Sequence, residues 1–232
     1  MSTPVLPPSS LPTAPPTLRL VLASNNAKKL AELRELLGGL AVDLVPQGEL
    51  GIQEAEEPHH TFIENALAKA RHAARAAAGA AIADDSGLCV PALGGEPGVH
   101  SAVFAGAAPV GPTEREARRR AQDAANNALL LARLAQHEGE AARRAYFVST
   151  LVALRHADDP EPLVATGRWP GRVLTAPRGE GGFGYDPLLY IPALGATVAE
   201  LTPALKNRHS HRAAAARMMR ELLLSVWQLR SS

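Results

Sequence analysis

Ala81-Ile82-Ala83-Asp84-Asp85-Ser86-Gly87-Leu88 sets a short apolar run directly against two adjacent carboxylates. Ala81 to Ala83 reads as a buried strand, with Asp84-Asp85-Ser86-Gly87 at its C-terminal end. Open α/β sheets hold their ligand sites at the carboxyl ends of strands. A hard cation such as magnesium prefers carboxylate oxygens and keeps several waters. Asp-Ser-Gly is also good turn chemistry. The cost of an acidic pair at a strand end without a cation favours a functional reading.

Working outward, the flanks alternate between strand and helix patterns. Leu18 to Ala23 is an apolar run that reads as a buried strand, followed by Ser24-Asn25-Asn26 and a helix with Leu30, Leu33 and Leu37 on one face. Ala41 to Val45 is a second strand. Thr61 with Glu64 forms a capping box that opens a long helix. Thr113 with Glu116 predicts another, for a helix running past Leu134. Tyr146 to Leu154 and Leu163 to Trp169 read as paired strands, Gly181 to Gly184 as a loop, and a last helix begins at His209 or Ser210 and reaches about Trp227. Early alternation followed by clustered strands predicts an α/β fold with a mixed sheet.

The 232 residues suffice for one substantial domain, expected over 18–232. Residues 1–17 carry six prolines and no charge, and read as a disordered tail rather than a secretory signal. The formal charge of +1 lacks the basic excess of a nucleic-acid binder, and no apolar run approaches a membrane span. The one cysteine, Cys89, excludes an internal disulfide and suits a reducing cytoplasm.

Four further stretches could carry chemistry, and each has a plain alternative. Ser24-Asn25-Asn26-Ala27-Lys28-Lys29 lies where a strand hands over to a helix, whose free N–H groups attract anions. Asparagine tolerates positive φ and could curl around a phosphate; an ordinary cap with solvated lysines fits equally. Asn65 and Lys69 share a helix face, as a solvated stripe would. Gly181-Gly182-Phe183-Gly184-Tyr185-Asp186-Pro187 offers an aromatic face for a base, unless Phe183 is tucked into the core. Lys206, His209, His211 and Arg212 could grip phosphate or a carbonyl, or simply be a solvated helix start.

The order of these pieces is more specific than any one. Ser-Asn-Asn-x-x-Lys at 24–29, Thr-Phe-Ile-Glu-Asn-Ala at 61–66, Ala-Asp-Asp-Ser-Gly-Leu at 83–88, Gly-Gly-x-Pro-Gly at 94–98, Gly-Gly-Phe-Gly-Tyr-Asp-Pro at 181–187 and Ser-His-Arg at 210–212 together closely resemble the inosine triphosphate pyrophosphatase family. The resemblance implies an elongated mixed sheet with a substrate cleft between two lobes, a homodimer, Mg²⁺, and hydrolysis of inosine- and xanthosine-type triphosphates to monophosphate and pyrophosphate. It makes Asp85 the general base and, with Glu56, a metal ligand. Ser24, Asn25, Asn26, Ala27, Lys28, Lys29, Lys69 and Ser86 match residues around the phosphates and sugar. Phe183, Gly184, Tyr185, Asp186, Lys206, His211 and Arg212 match the part that holds and reads the base. Departures are Val103-Phe104 in place of Arg-Tyr, Ser149 in place of cysteine and Asn25 in place of glycine. The rival reading is a nucleotide sensor without turnover; the intact acidic set Glu56, Asp84 and Asp85 argues against it.

Overall fold

The computed structural model describes residues 17–106 and 115–231. Thr113 of the second expected capping box and all of the tail but Thr17 lie outside them. Among the described residues the strands are β1 (Leu18–Leu22), β2 (Val42–Pro46), β3 (Ala81–Cys89), β4 (Arg144–Leu154), β5 (Leu163–Val173), β6 (Leu189–Ile191) and β7 (Ala196–Thr197). They form one sheet in the order β2-β1-β3-β4-β5-β6-β7. β1 runs parallel to β2 and β3, and the pairs from β3 to β7 are antiparallel, so the sheet is mixed as expected.

The helices are α1 (Ala27–Leu36), α2 (Phe62–Ala77), α3 (Arg115–Leu134), α4 (Pro203–His209) and α5 (His211–Ser225). Thr61 caps α2 as its spacing predicts, accepting from the Glu64 N–H and donating to the Glu64 carboxylate at 2.5 Å. α1 and α5 bury Leu33, Ala216, Met219 and Leu223 with Leu20, Leu22 and Leu151 on one sheet face. α2 lays Ala66, Ala70, Ala73 and Ala74 on Val21, Ala83 and Val152 of the other. α3 contributes Leu130 and Leu134 to a third cluster with Leu88, Phe147, Trp169 and Tyr185. The long strands β3, β4 and β5 join these clusters into two lobes.

Three expectations need correction. The acidic pair does not end a strand. β3 continues to Cys89 and pairs throughout with β4, Asp84 opposite Leu151 and Asp85 opposite Thr150. Ladder hydrogen bonds from an 11-residue partner hold the backbone extended, so no turn forms. Because side chains alternate along a strand, Asp84 and Asp85 face opposite sides of the sheet. Further along, a side chain at Gly87 would run into the Gly98 carbonyl and the Ser101 hydroxyl, so glycine lets the segment at 98–101 lie directly on the strand. Second, Asn25 and Asn26 do not use positive φ; among the described residues only Ala78 and Gln228 do so without being glycine. Asn26 caps α1 instead, its Oδ1 accepting from the Lys28 and Lys29 N–H groups. Third, a separate helix, α4, precedes α5. Thr202 caps it with Pro203 at its first position, and Ser210, in extended conformation, ends it and caps α5.

Candidate active site

A cleft of about 950 Å³ opens between the lobes. Its walls are the β1–α1 junction, the acidic segment before α2, the middle of β3, the glycine-rich loop at 180–186 and the start of α5, with α3 at the rim. Sequence-distant pieces converge here because β3 crosses the boundary between the lobes.

The two carboxylates meet different surroundings. Asp84 is 1% exposed. It takes Lys29 Nζ at 3.0 Å, the Nε and Nη2 of Arg212 at 3.1 and 3.0 Å, and the Ser149 hydroxyl at 2.7 Å. Burial pushes its pKa up, but Arg212 and Lys29 outweigh this and hold it well below the usual carboxylate range. The expectation that the pair must await a cation therefore fails for Asp84, whose cations are built in. Asp85 has one partner on one oxygen, Lys69 Nζ at 2.8 Å, and its Oδ2 is buried with no partner. Burial raises its pKa to about 6 against the pull of Lys69, with Glu57 adding to the rise. Lys69 is held charged, its burial outweighed by Asp85 and by Glu57 at 3.1 Å.

The basic cluster is not a solvated helix start. Lys206, His211 and Arg212 are buried, and only His209 is exposed. Lys206 Nζ lies 2.9 Å from Asp186 and 3.3 Å from Glu32. Arg212 also pairs with Glu32 and donates to the Ser86 hydroxyl at 3.0 Å. Four of the five guanidinium N–H groups are thereby engaged. Burial drives the His211 pKa well below 6.5, so the ring is neutral; it stacks on Phe147 at 4.9 Å with Nδ1 unpartnered. Phe183 is half-buried and lines the cleft, with Lys206 Nζ 4.6 Å and Lys28 Nζ 5.7 Å from its ring centroid. Tyr185 is the aromatic that enters the core, its hydroxyl donating to the Ser101 carbonyl at 3.0 Å.

The cleft thus collects Ser24, Asn25, Asn26, Ala27, Lys28, Lys29, Lys69, Ser86, Phe183, Gly184, Tyr185, Asp186, Lys206, His211 and Arg212, with Asp85 behind Lys69. Lys28 turns to the opposite lobe, donating to the Gly182 carbonyl at 3.0 Å. Asn65 is buried rather than solvated: its amide takes both the N–H and the carbonyl of His59 and so fixes the acidic segment. Of that segment Glu54 and Glu57 line the cleft, while Glu56 is exposed outside the lining. From the sequence, Glu57 is one of three carboxylates before α2, with Glu54 and Glu56, and carries no role of its own; sequence reasoning passed over Glu32, which lies one turn from Lys29 on α1, a spacing that marks a shared face.

A magnesium ion fits this donor set. The partnerless buried oxygen of Asp85 beside the carboxylate of Glu57 is a hard-oxygen site with charge to spare. Among the described residues no three His, Cys, Asp or Glu side chains form a closed cage. An ion held mainly by substrate oxygens and water needs none.

Residues 20–222 match the Ham1 family. A dITP/XTP pyrophosphatase of Methylibium petroleiphilum is 66% identical over 210 residues, covering 90% of this chain and 99% of that one. One from Burkholderia pseudomallei is 58% identical over 85% of this chain and 89% of its own length. Among solved structures, a HAM1 protein from Coxiella burnetii superposes with a TM-score of 0.78 at 40% identity, covering 89% of this chain and 98% of that chain. Matched by the family model over residues 20–222 and by relatives covered almost end to end, this chain belongs to the Ham1 family.

Proposed function

We propose that this protein hydrolyses non-canonical purine nucleoside triphosphates of the ITP, dITP and XTP type to the monophosphate and pyrophosphate. The observation that carries the reading is the Asp85–Lys69–Glu57 group, in a cleft whose opposite end offers Phe183. The relatives' printed name, dITP/XTP pyrophosphatase, supports the choice of substrate.

A triphosphate brings roughly four negative charges, which the cleft must balance. Lys69 and Lys29 take the phosphate end, with Ser24 to Lys28 lining the approach. Asp85 and Glu57 would hold Mg²⁺, with Glu56 as the neighbouring reserve carboxylate. When bound, the metal neutralises phosphate charge and orients the reacting groups. Asp85 accepts the proton of the attacking water. A carboxylate titrating near 6 is basic enough for this yet largely ionised at neutral pH. The alkaline partner, Lys69, then faces the departing pyrophosphate.

At the other end Phe183 stacks on the purine. The 6-keto group meets the neutral His211 ring and the one N–H of Arg212 left uncommitted. Adenine's 6-amino group would confront that cationic donor with another donor. A buried unpaired donor costs roughly 1–3 kcal/mol, which disfavours ATP. Asp186 and Lys206 hold the stacking loop rather than the base. The protein acts as a homodimer, and residues 1–17 form a dispensable tail. The test is pyrophosphate release from ITP, dITP and XTP against ATP and GTP. Orthophosphate release, or equal turnover of ATP, contradicts the reading.

A further inference from the structure

The glycine-rich loop that carries Phe183 is held from the rim of the cleft by two side chains of α3. Glycines at 181, 182 and 184 give this segment more freedom in the unfolded chain than any other residue would. It keeps one shape only where its peptides are tied. The Gly184 N–H donates to Asp123 Oδ2 at 2.8 Å, and the Gly184 carbonyl accepts from Asn127 Nδ2 at 3.1 Å. Asp123 and Asn127 are four residues apart on α3, so they share one face, and Leu130 and Leu134 anchor the same helix in the core. The backbone is thereby gripped on both sides of the residue that follows Phe183.

The chemistry of the pair is costly to hold. Burial raises the Asp123 pKa, against the Gly184 N–H and the charges of Lys28 and Arg119. Asn127 Oδ1 is buried with no partner, so its amide earns nothing on that side. An apolar residue of similar size would avoid that orphaned oxygen, and only the donor to Gly184 sets asparagine apart.

We infer that Asp123 and Asn127 are positioning residues, which fix the face of Phe183 against the purine by clamping Gly184. This rests on the reading of Phe183 as the base-stacking residue. The contact acts alike on bound substrate and transition state, so its loss moves KM rather than kcat.

The experiment is steady-state kinetics on ITP with Asp123→Ala, Asp123→Asn, Asn127→Leu and Phe183→Ala, each paired with inhibition by inorganic tripolyphosphate, which has no base. Asp123→Ala and Asn127→Leu should each raise KM about tenfold, toward the lower end of what a base–aromatic stack contributes. Their kcat should stay within about threefold of wild type, and tripolyphosphate inhibition should be unchanged. Asp123→Asn keeps an acceptor and should restore a KM within about threefold of wild type. Adding Asp123→Ala to Phe183→Ala should raise KM no further. The role is overturned by a wild-type KM in Asp123→Ala, by additivity with Phe183→Ala, or by parallel loss of kcat and tripolyphosphate binding. If Asp123→Ala does not fold, a wild-type KM in Asn127→Leu overturns it. A wild-type protein that releases no pyrophosphate refutes the proposed function and this role together; an active wild type with normal variants refutes this role alone.

Discussion

Asp84 and Asp85 are neighbours in sequence, yet the strand turns them to opposite faces and gives them opposite tasks. Asp84 balances Arg212 and Lys29; Asp85 keeps a buried oxygen unpaired. Asp84→Asn leaves the buried Arg212 and the half-buried Lys29 without their shared carboxylate, so it should cost about 3–5 kcal/mol of folding stability in a denaturant titration. Asp85→Asn leaves Lys69 its Glu57 partner, should cost far less stability, and should cut turnover by ~10²–10⁴. Equal loss of stability in the two variants would contradict this division. The pH dependence follows from the direction of each shift. As the proposed base, Asp85 would have to be ionised, and burial pushes its pKa up to about 6, so kcat/KM should fall as pH drops below about 6. Mg²⁺ held by Asp85 would stabilise the ionised form, so saturating metal should move that limb to lower pH. Asp84, depressed by its cations, adds stability that is fully present above the ordinary carboxylate value and is lost only in strong acid. Residue spacing singles out Asp84 and Asp85 without separating them; the family resemblance gives the base's role to Asp85, but not the physical reason the two differ. That reason lies in the extended conformation, which comes from pairing with Leu151 and Thr150 of β4, far along the chain.

Elements show the same limit. β1, α1, α2, β4 and β5 were legible because their apolar periodicity and caps are local signals, as with Thr61 and Glu64. The full length of β3, the short β6 and β7, and the burial of Lys206 and Arg212 were not, because they depend on partners across the lobes. Asn65 looked like half of a polar stripe, but its helix brings it inward to pin the His59 backbone. Asn65→Leu should therefore loosen the acidic segment at 54–57. The expected result is a magnesium activation midpoint raised about tenfold, the lower end for an outer-sphere support, with kcat at saturating magnesium little changed. A midpoint equal to wild type would show that the segment holds itself.

At the scale of the molecule, the two lobes share β3, β4 and β5, so the cleft is built into the sheet rather than hinged between separate domains. A chain starting at Thr17 should keep full activity and stability, since residues 1–16 carry no charge to pair. Reduced activity in that truncation would give the tail a function. Light scattering at micromolar concentration should report two chains per particle; a single-chain mass would refute the homodimer. In the proposed reaction water attacks the α-phosphorus, which is what separates this pyrophosphate release from every other cleavage. Hydrolysis of ITP in ¹⁸O-labelled water, followed by mass spectrometry of the products, tests it most directly. The label should appear in inosine monophosphate and not in pyrophosphate. Label in pyrophosphate, or in released orthophosphate, would place the attack on another phosphorus and contradict the account.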